Sequence, residues 1–372
     1  MKVAALGDAH LGRGAYTFVD AATGVNRREL DFEESFEAAV ELTLAQDPDV
    51  VLWLGDIFDH PRPTYRSFRV AQRALFRLRV AGVDTVVISG NHDTPRLPGT
   101  GSPYSALSDA VSGVRFATRL QYERFELPGL VVHAVPQMMT VEATLEALDE
   151  ADRRRSTDHV NLLLTHPRVP QVEPRYADIN EIEVDASALR SDFVLLGHYH
   201  FHTRVADRTW YAGSTDTFTF ADDPDRPKGI VVLDTDTATV EHVPLSGERP
   251  LVTLDTVHAL GLSPAEVSER VLEQAAAVPE GAVARLYVEG VDPEAWRLLD
   301  LEAVRATGGA ALLLKLAPTF AGVHANAELP DLDSMPSRWA RYVEQQDLTG
   351  YDRPRLESLG REYLARAVEG SC

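Results

Sequence analysis

Residues 193–205, FVLLGHYHFHTRV, decide how the rest of the chain is read. A short apolar run, Phe193 to Leu196, is followed at once by Gly197 and then by three histidines at alternate positions, His198, His200 and His202. Runs of this length, rich in Val and Leu and ended by glycine, read as strands buried on both faces. Polar residues gathered at the C-terminal ends of such strands are where α/β sheets place their sites.

Four other apolar runs end the same way. KVAALGDAH (2–10) closes on Asp8 and His10, and DVVLWLGDIFD (49–59) closes on Asp56 and Asp59. DTVVISGNHD (84–93) ends in Asn91, His92 and Asp93, and HVNLLLTH (159–166) ends in His166. Helical patterns lie between several of them. In residues 33–46, Phe36, Ala39, Val40, Thr43 and Leu44 share one face. A second helix spans 64–81 with Thr64 as its cap. Alternating strands and helices predict an α/β layered domain.

The pattern changes near residue 230. GIVVLDTDTATVEHVPL (229–245) reads as a hairpin turning at 234–237, and ERPLVTLDTV (248–257) continues extended. Then come a helix opened by Ser263 and Pro264, a strand ARLYVEGV (284–291), a helix PEAWRLLDLEAVRA (293–306) and a strand AALLLKLAPTF (310–320). LPDLDSMPS (329–337) reads as a linker, with two closing helices at 337–347 and 353–368. The expected divisions are therefore 1–249, 250–322 and 323–372.

Composition narrows the class. A chain of 372 residues with 44% hydrophobic content supports two or three domains with a real core. Nothing resembles a signal peptide, and no run of about 18 apolar residues predicts a membrane span. The single cysteine is Cys372, which excludes intrachain disulfides and argues against zinc–thiolate sites and a cysteine nucleophile. A cytoplasmic setting follows. The formal net charge of −21 is unusual for a nucleic-acid enzyme, and the only lysines are Lys2, Lys228 and Lys315. One segment resists the acidity: residues 60–82 contain no Asp or Glu, and Arg66, Arg69, Arg73 and Arg77 fall on one helical face. That face either tracks phosphates, or is merely solvated or paired with acidic neighbours.

Taken singly, each strand-end motif is weak, since a lone buried His or Asp is more often structural. Five of them in this order are another matter. Phosphodiesters resist hydrolysis because the nucleophile must approach an anion. Two divalent ions about 3.5–4 Å apart overcome this by activating a water and neutralising the developing charge. Such a pair needs a bridging carboxylate and ligands that leave positions open. Asp56 can bridge, Asp8 adds a second carboxylate, and His10, Asn91, His166, His198 and His200 are neutral ligands. Two carboxylates against two dications leave roughly +2, which attracts an anionic phosphate even to an acidic protein. Imidazole-rich coordination favours manganese, iron or zinc over magnesium. Arg13 follows His10 by three residues and is the best single candidate for a substrate phosphate.

GDAHLG, GDIFD, GNHD and GHYH, followed by WYAGSTDTFTF (210–220) and RPKGIVVLD (226–234), resemble the calcineurin-like metallophosphoesterase superfamily, and within it the SbcD branch of double-strand-break repair nucleases. The resemblance covers residues 1 to about 245, and more loosely extends to about 320. It implies mixed β-sheets layered between helices, a small α/β capping domain and partner-binding C-terminal helices. It implies one ion, most simply Mn²⁺, on Asp8, His10, Asp56 and His200, and a second on Asp56, Asn91, His166 and His198. It makes His92 the non-ligand histidine beside the scissile phosphate and places Asp59 where related enzymes orient that histidine. It implies DNA as substrate, cut 3′ to 5′ from duplex ends or within single strands and hairpins, a coiled-coil ABC ATPase of the SbcC type as partner, and a homodimer. GHYHFHT departs from the usual SbcD continuation. His202 has no counterpart and reads as exposed, while His60 and His133 read as structural. The competing readings are a phosphoesterase of small phosphodiesters or nucleotides, and a scaffold without catalysis.

Overall fold

The computed structural model describes residues 1–97, 101–172, 181–223, 225–321, 339, 342–343 and 352–360. The chain divides into two compact units, Met1–Leu251 and Val252–Cys372.

The first unit is built on two six-stranded mixed sheets. In one, β1 (Lys2–Leu6), β2 (Val50–Leu54), β3 (Asp84–Ile88) and β4 (Val114–Ala117) run parallel, and the hairpin of β11 (Gly229–Asp234) and β12 (Thr239–Pro244) adds antiparallel to β1. In the other, β6 (Leu130–Val135), β7 (Val160–Thr165), β8 (Phe193–Leu196) and β10 (Thr209–Tyr211) run parallel, flanked by β5 (Glu123–Leu127) and β9 (Thr203–Ala206). Successive side chains of a strand point to opposite faces, and here both faces are covered. Val3, Ala5, Leu52 and Val86 meet Leu130, Val132, Leu162 and Phe193 in the core between the sheets. Ala4, Leu6, Val51 and Trp53 face the other way, onto α1 (Arg27–Ala45) and α2 (Tyr65–Val80). Leu163 and Leu196 turn instead toward α4 (Val141–Arg153). This four-layer packing is why the runs read as unbroken apolar stretches. Each Val or Leu so buried contributes roughly 1.5–3 kcal/mol.

Helix ends follow the expected local chemistry, with one extension. The Thr64 side chain caps α2 by accepting from the Ser67 amide. The first helix begins six residues earlier than the apolar stripe suggested, because the Asn26 side chain accepts from the Arg28 and Glu29 amides. The arginine stripe of α2 is matched by acids on α1: Arg66 pairs with Glu33 at 2.6 Å, Arg73 with Glu37 at 2.8 Å, and Arg77 with Glu41. Glutamates at four-residue intervals lie on one helical face, so the two stripes meet side by side.

In the second unit, β15 (Val283–Val291) is flanked by β14 (Val257–His258) and β16 (Leu313–Phe320) in parallel, with β13 (Leu251–Thr253) also in the sheet. Helix α5 (Pro264–Ala276) opens with a full capping box between Ser263 and Glu266. The helix expected over 293–306 is two helices, α6 (Pro293–Leu298) and α7 (Leu301–Thr307). Leu299 is extended and buried, and Asp300 caps α7 by accepting from the Glu302 and Ala303 amides. The aspartate competes with the backbone and starts a new helix where periodicity alone predicted continuation. The expected closing helices at 337–347 and 353–368 lie largely outside the described residues. Among the described residues no helix is long and apolar enough to cross a membrane.

Candidate metal centre

The loops after β1 and β2 are zipped together by main-chain bonds. Asp8 N donates to Gly55 O at 3.0 Å, His10 N to Asp56 O at 2.9 Å and Leu11 N to Ile57 O at 2.8 Å. The third loop, after β3, joins them through Asp93. One carboxylate oxygen accepts from Ile57 N at 2.9 Å, and the other accepts from Gly90 N at 2.8 Å. Gly90 is required by close approach, because a Cβ there would lie 2.2 Å from Asp56 Oδ1. Asp8, His10, Asp56 and His198 all adopt positive φ, at 50°, 45°, 50° and 104°. Non-glycine residues in that region cost of order 1–3 kcal/mol each, and they persist where a site over-determines them.

These turns bring all seven expected ligands to one place. Asp8 accepts from the His198 amide at 3.0 and 3.1 Å, and Asp56 Oδ1 accepts from the His92 amide at 2.8 Å. His166 Nδ1 lies 2.6 Å from Leu54 O, which fixes the proton on Nδ1 and turns Nε2 inward, 3.1 Å from Asp56 Oδ2 and 3.9 Å from Asp8 Oδ1. His10 Nε2 faces Asp56 Oδ2 at 3.7 Å. His198 Nδ1 lies 3.1 Å from Asn91 Oδ1. Asp8, His10 and His200 form one close group of donor atoms, and Asp8, Asp56 and His166 form another. The bond in each case is missing, not the proximity: His10 Nε2 and His166 Nε2 are buried and have no hydrogen-bond partner. Buried polar atoms in proteins are as a rule satisfied, and of the buried side-chain atoms without a partner here these two imidazole nitrogens both face the Asp56 carboxylate, a placement that suits cations between them. The donor set fits a pair of divalent ions.

The electrostatics agree. Burial pushes the Asp8 carboxyl well above its ordinary range; His166 opposes this and Asp56 adds to it. Burial acts on Asp56 too, but His166, His10 and His92 outweigh it and hold that carboxyl far below the usual range. Burial alone would depress His166, yet Asp56 and Asp8 raise it to about 9. Burial, with His10 and Lys228 nearby, keeps His200 neutral. Left to themselves, these groups share protons in a place where water cannot help them; dications do the same work at larger charge.

Around the cage, two expectations need correction. The Asp59 carboxylate does not hold His92. Its Oδ1 lies 3.0 Å from His10 Nδ1 and 3.2 Å from an Arg13 amino group, but 4.0 Å from His92 Nδ1. His92 takes the main-chain carbonyl of Asp59 instead, at 3.2 Å, and its side chain stays 40% exposed. His202 is half-buried, not exposed: it bonds Tyr211 O at 2.9 Å and stacks on His242. His133 is held between Tyr122 and Asn161, as a structural histidine would be, and His60 is exposed. Arg13 lies 4.9 Å over the Phe218 ring, at the edge of a cavity of about 380 Å³ that Asp56, Asn91, His92, His198 and His200 also line.

Sequence reading missed three supports. Lys228 Nζ bonds the His200 carbonyl at 2.5 Å and Asp222 at 3.0 Å, fixing the turn that carries the last expected ligand. Asp93 ties two loops together, and GNHD was its only signal. Arg28, fully buried, bridges Asp31 and Asp216 at 3.0 and 2.9 Å; nothing local marks it, because its partner is 188 residues away.

Residues 1–202 match the model of the calcineurin-like phosphoesterases, and the chain belongs to that family of metal-dependent phosphoesterases. Within it, the chain is similar to DNA double-strand break repair proteins named Mre11, the archaeal counterparts of SbcD. The Saccharolobus solfataricus protein is 27% identical over 55% of this chain and 51% of its own length. The Methanocaldococcus jannaschii protein is 26% identical over 57% and 55%, and that of Aeropyrum pernix 29% identical over 54% and 49%. The chain spans about half the length of the curated relatives it matches.

Proposed function

We propose that this protein is a two-metal DNA nuclease of double-strand-break repair and recombination. The observation that carries the reading is the pair of orphaned imidazole nitrogens, His10 Nε2 and His166 Nε2, aimed at Asp56 in a buried cage that opens on a cavity. In this reading Asp8, His10, Asp56 and His200 hold one ion, and Asp56, Asn91, His166 and His198 hold the other, with Mn²⁺ favoured by the nitrogen-rich set. Held there, such ions would supply water activation and positive charge against the charge that develops on the phosphate oxygens.

The chain's own residues do the rest. His92, tethered at both its amide and its Nδ1, presents Nε2 to the cavity to donate to a phosphate oxygen or to the leaving oxygen. Arg13, restrained by Asp59 and lying over Phe218, meets a second phosphate oxygen. The orienting role expected of Asp59 is divided: its side chain orients His10 and Arg13, and its carbonyl orients His92.

Cutting from duplex 3′ ends, cleavage of single strands and hairpins, an SbcC-type coiled-coil ATPase as partner and a homodimer rest on the similarity to Mre11 and SbcD proteins. The lack of cysteine before residue 372 suits a reducing compartment such as the cytoplasm. End-labelled duplex and hairpin DNA should be cut with Mn²⁺, and a chromogenic phosphodiester only slowly; the reverse order would favour the small-substrate alternative. His92→Ala should lose cleavage by roughly 10²–10⁴-fold with both ions still bound. A fully active His92→Ala protein would remove His92 from the chemistry.

A further inference from the structure

Glu181 belongs to none of the motifs, yet it stands against the metal cage. Its segment is pinned beside the end of β7: Arg168 N donates to Ile182 O at 2.8 Å and Val184 N to Arg168 O at 2.9 Å. This places Glu181 Oε1 3.4 Å from His198 Nε2, with the glutamate side chain only 13% exposed. The other oxygen, Oε2, is buried without a hydrogen-bond partner, and Arg168 Nε stands 4.0 Å off, too far to supply one. A mostly desolvated carboxylate with one unsatisfied oxygen costs stability, so packing does not explain it.

The other face of the same imidazole supplies the reason. His198 Nδ1 lies 3.1 Å from Asn91 Oδ1. An amide oxygen accepts and cannot donate, so a proton on Nδ1 would be spent on Asn91, while a lone pair there would leave both atoms free to face a cation. Which tautomer forms is set by the partner on the far nitrogen. A carboxylate beside Nε2 keeps the proton on Nε2.

We propose that Glu181 is a positioning residue that locks His198 in the Nε2–H tautomer, so that Nδ1 and Asn91 Oδ1 together receive one of the two cations. The inference rests on the reading of Asn91 and His198 as ligands. Carboxylate partners of this kind change metal affinity about 10–100-fold when removed.

The test is calorimetric titration of Mn²⁺ into the metal-free 372-residue chain. Wild type should bind two ions. Glu181→Ala should weaken one of them 10–100-fold and leave the other unchanged, while Glu181→Gln, which keeps an accepting oxygen but not the charge, should fall between. Imidazole ¹⁵N shifts should show His198 leaving the Nε2–H tautomer in Glu181→Ala, and thermal melts of the metal-free variants should be no lower than wild type, so that lost affinity is not lost fold. Equal weakening of both ions, or none, would overturn the role of Glu181 with the metal centre intact. Complete loss of one ion in Glu181→Gln would make it a ligand, which also overturns it. A wild type that binds no ion would instead bring down the metal-centre reading itself.

Discussion

The side chain of Asp59 reaches back to His10, Oδ1 to Nδ1 at 3.0 Å, across 49 residues of sequence. The bond sets the His10 tautomer, since an ionised carboxylate can only accept, and it leaves Nε2 bare inside the cage. Burial raises the Asp59 carboxyl, but the His10 bond overrides it and brings the carboxyl down to about 2.

Asp59→Ala should therefore act on metal binding rather than on His92. Affinity for the ion at His10 should fall about 10–100-fold, and saturating Mn²⁺ should restore most of the cleavage rate, because the main-chain carbonyl that holds His92 is untouched. Rates measured against Mn²⁺ concentration separate the cases. With DNA saturating as well, so that a loosened Arg13 is compensated, a defect that no amount of metal repairs would mean that the carboxylate serves His92 after all.

Replacement of Gly90 by alanine should dismantle the centre from the backbone side. Its Cβ would meet Asp56 Oδ1 at 2.2 Å and Asp56 N at 2.7 Å, inside any allowed contact. Asp56 must swing away, and both ions depend on it. Inductively coupled plasma measurement of bound metal should show loss of both, with unfolding midpoints lowered by strain of about 1–3 kcal/mol.

The arginine face of α2 should contribute little to DNA binding. Arg66, Arg73 and Arg77 are each opposite a glutamate, so their charge is already matched. If all three met phosphates, the slope of log K against log salt would change by about 2.7 on their removal. The triple alanine variant should change it by less than about 1; the exposed Arg73 and Arg77 pairs should each cost only about 0–1 kcal/mol of stability, whereas loss of Arg66 should cost more because its partner Glu33 is buried.

Glu248 predicts a stability slope near neutrality. Burial, with Asp216 adding, raises its carboxyl from the ordinary 4.5 to about 7, against Lys228. The folded chain holds that proton more tightly than the unfolded one. Between pH 4.5 and 7 the folded state binds the extra proton, so stability is lost as pH rises through that window. Glu248→Gln should flatten the slope, adding about 1–2 kcal/mol at pH 8, discounted for partial exposure, and nothing at pH 4. Urea unfolding at the two pH values measures it, and a variant less stable at pH 8 would refute the assignment.

Residue patterns alone reached the layered α/β fold, the strand ends that carry the proposed ligands, and the caps at Thr64 and Ser263. These depend on alternation, helical period and the nearest few residues, which a linear reading contains. The break at Asp300 escaped because an apolar stripe continues across it, and only the buried, extended Leu299 shows the interruption.

The order of Asp-x-His, Gly-Asp, Gly-Asn-His-Asp, His and Gly-His-x-His was determined by the sequence itself, since each motif needs only its own strand and turn. Which nitrogen of each histidine faces inward, that Asp59 serves His10 rather than His92, and that Glu181 stands behind His198 were decided by the tertiary structure alone. The reason is range and direction. A hydrogen bond is won or lost over less than an ångström, and when its two ends come from loops on different strands, 49 residues apart for His10 and Asp59, only the packed tertiary structure sets that distance.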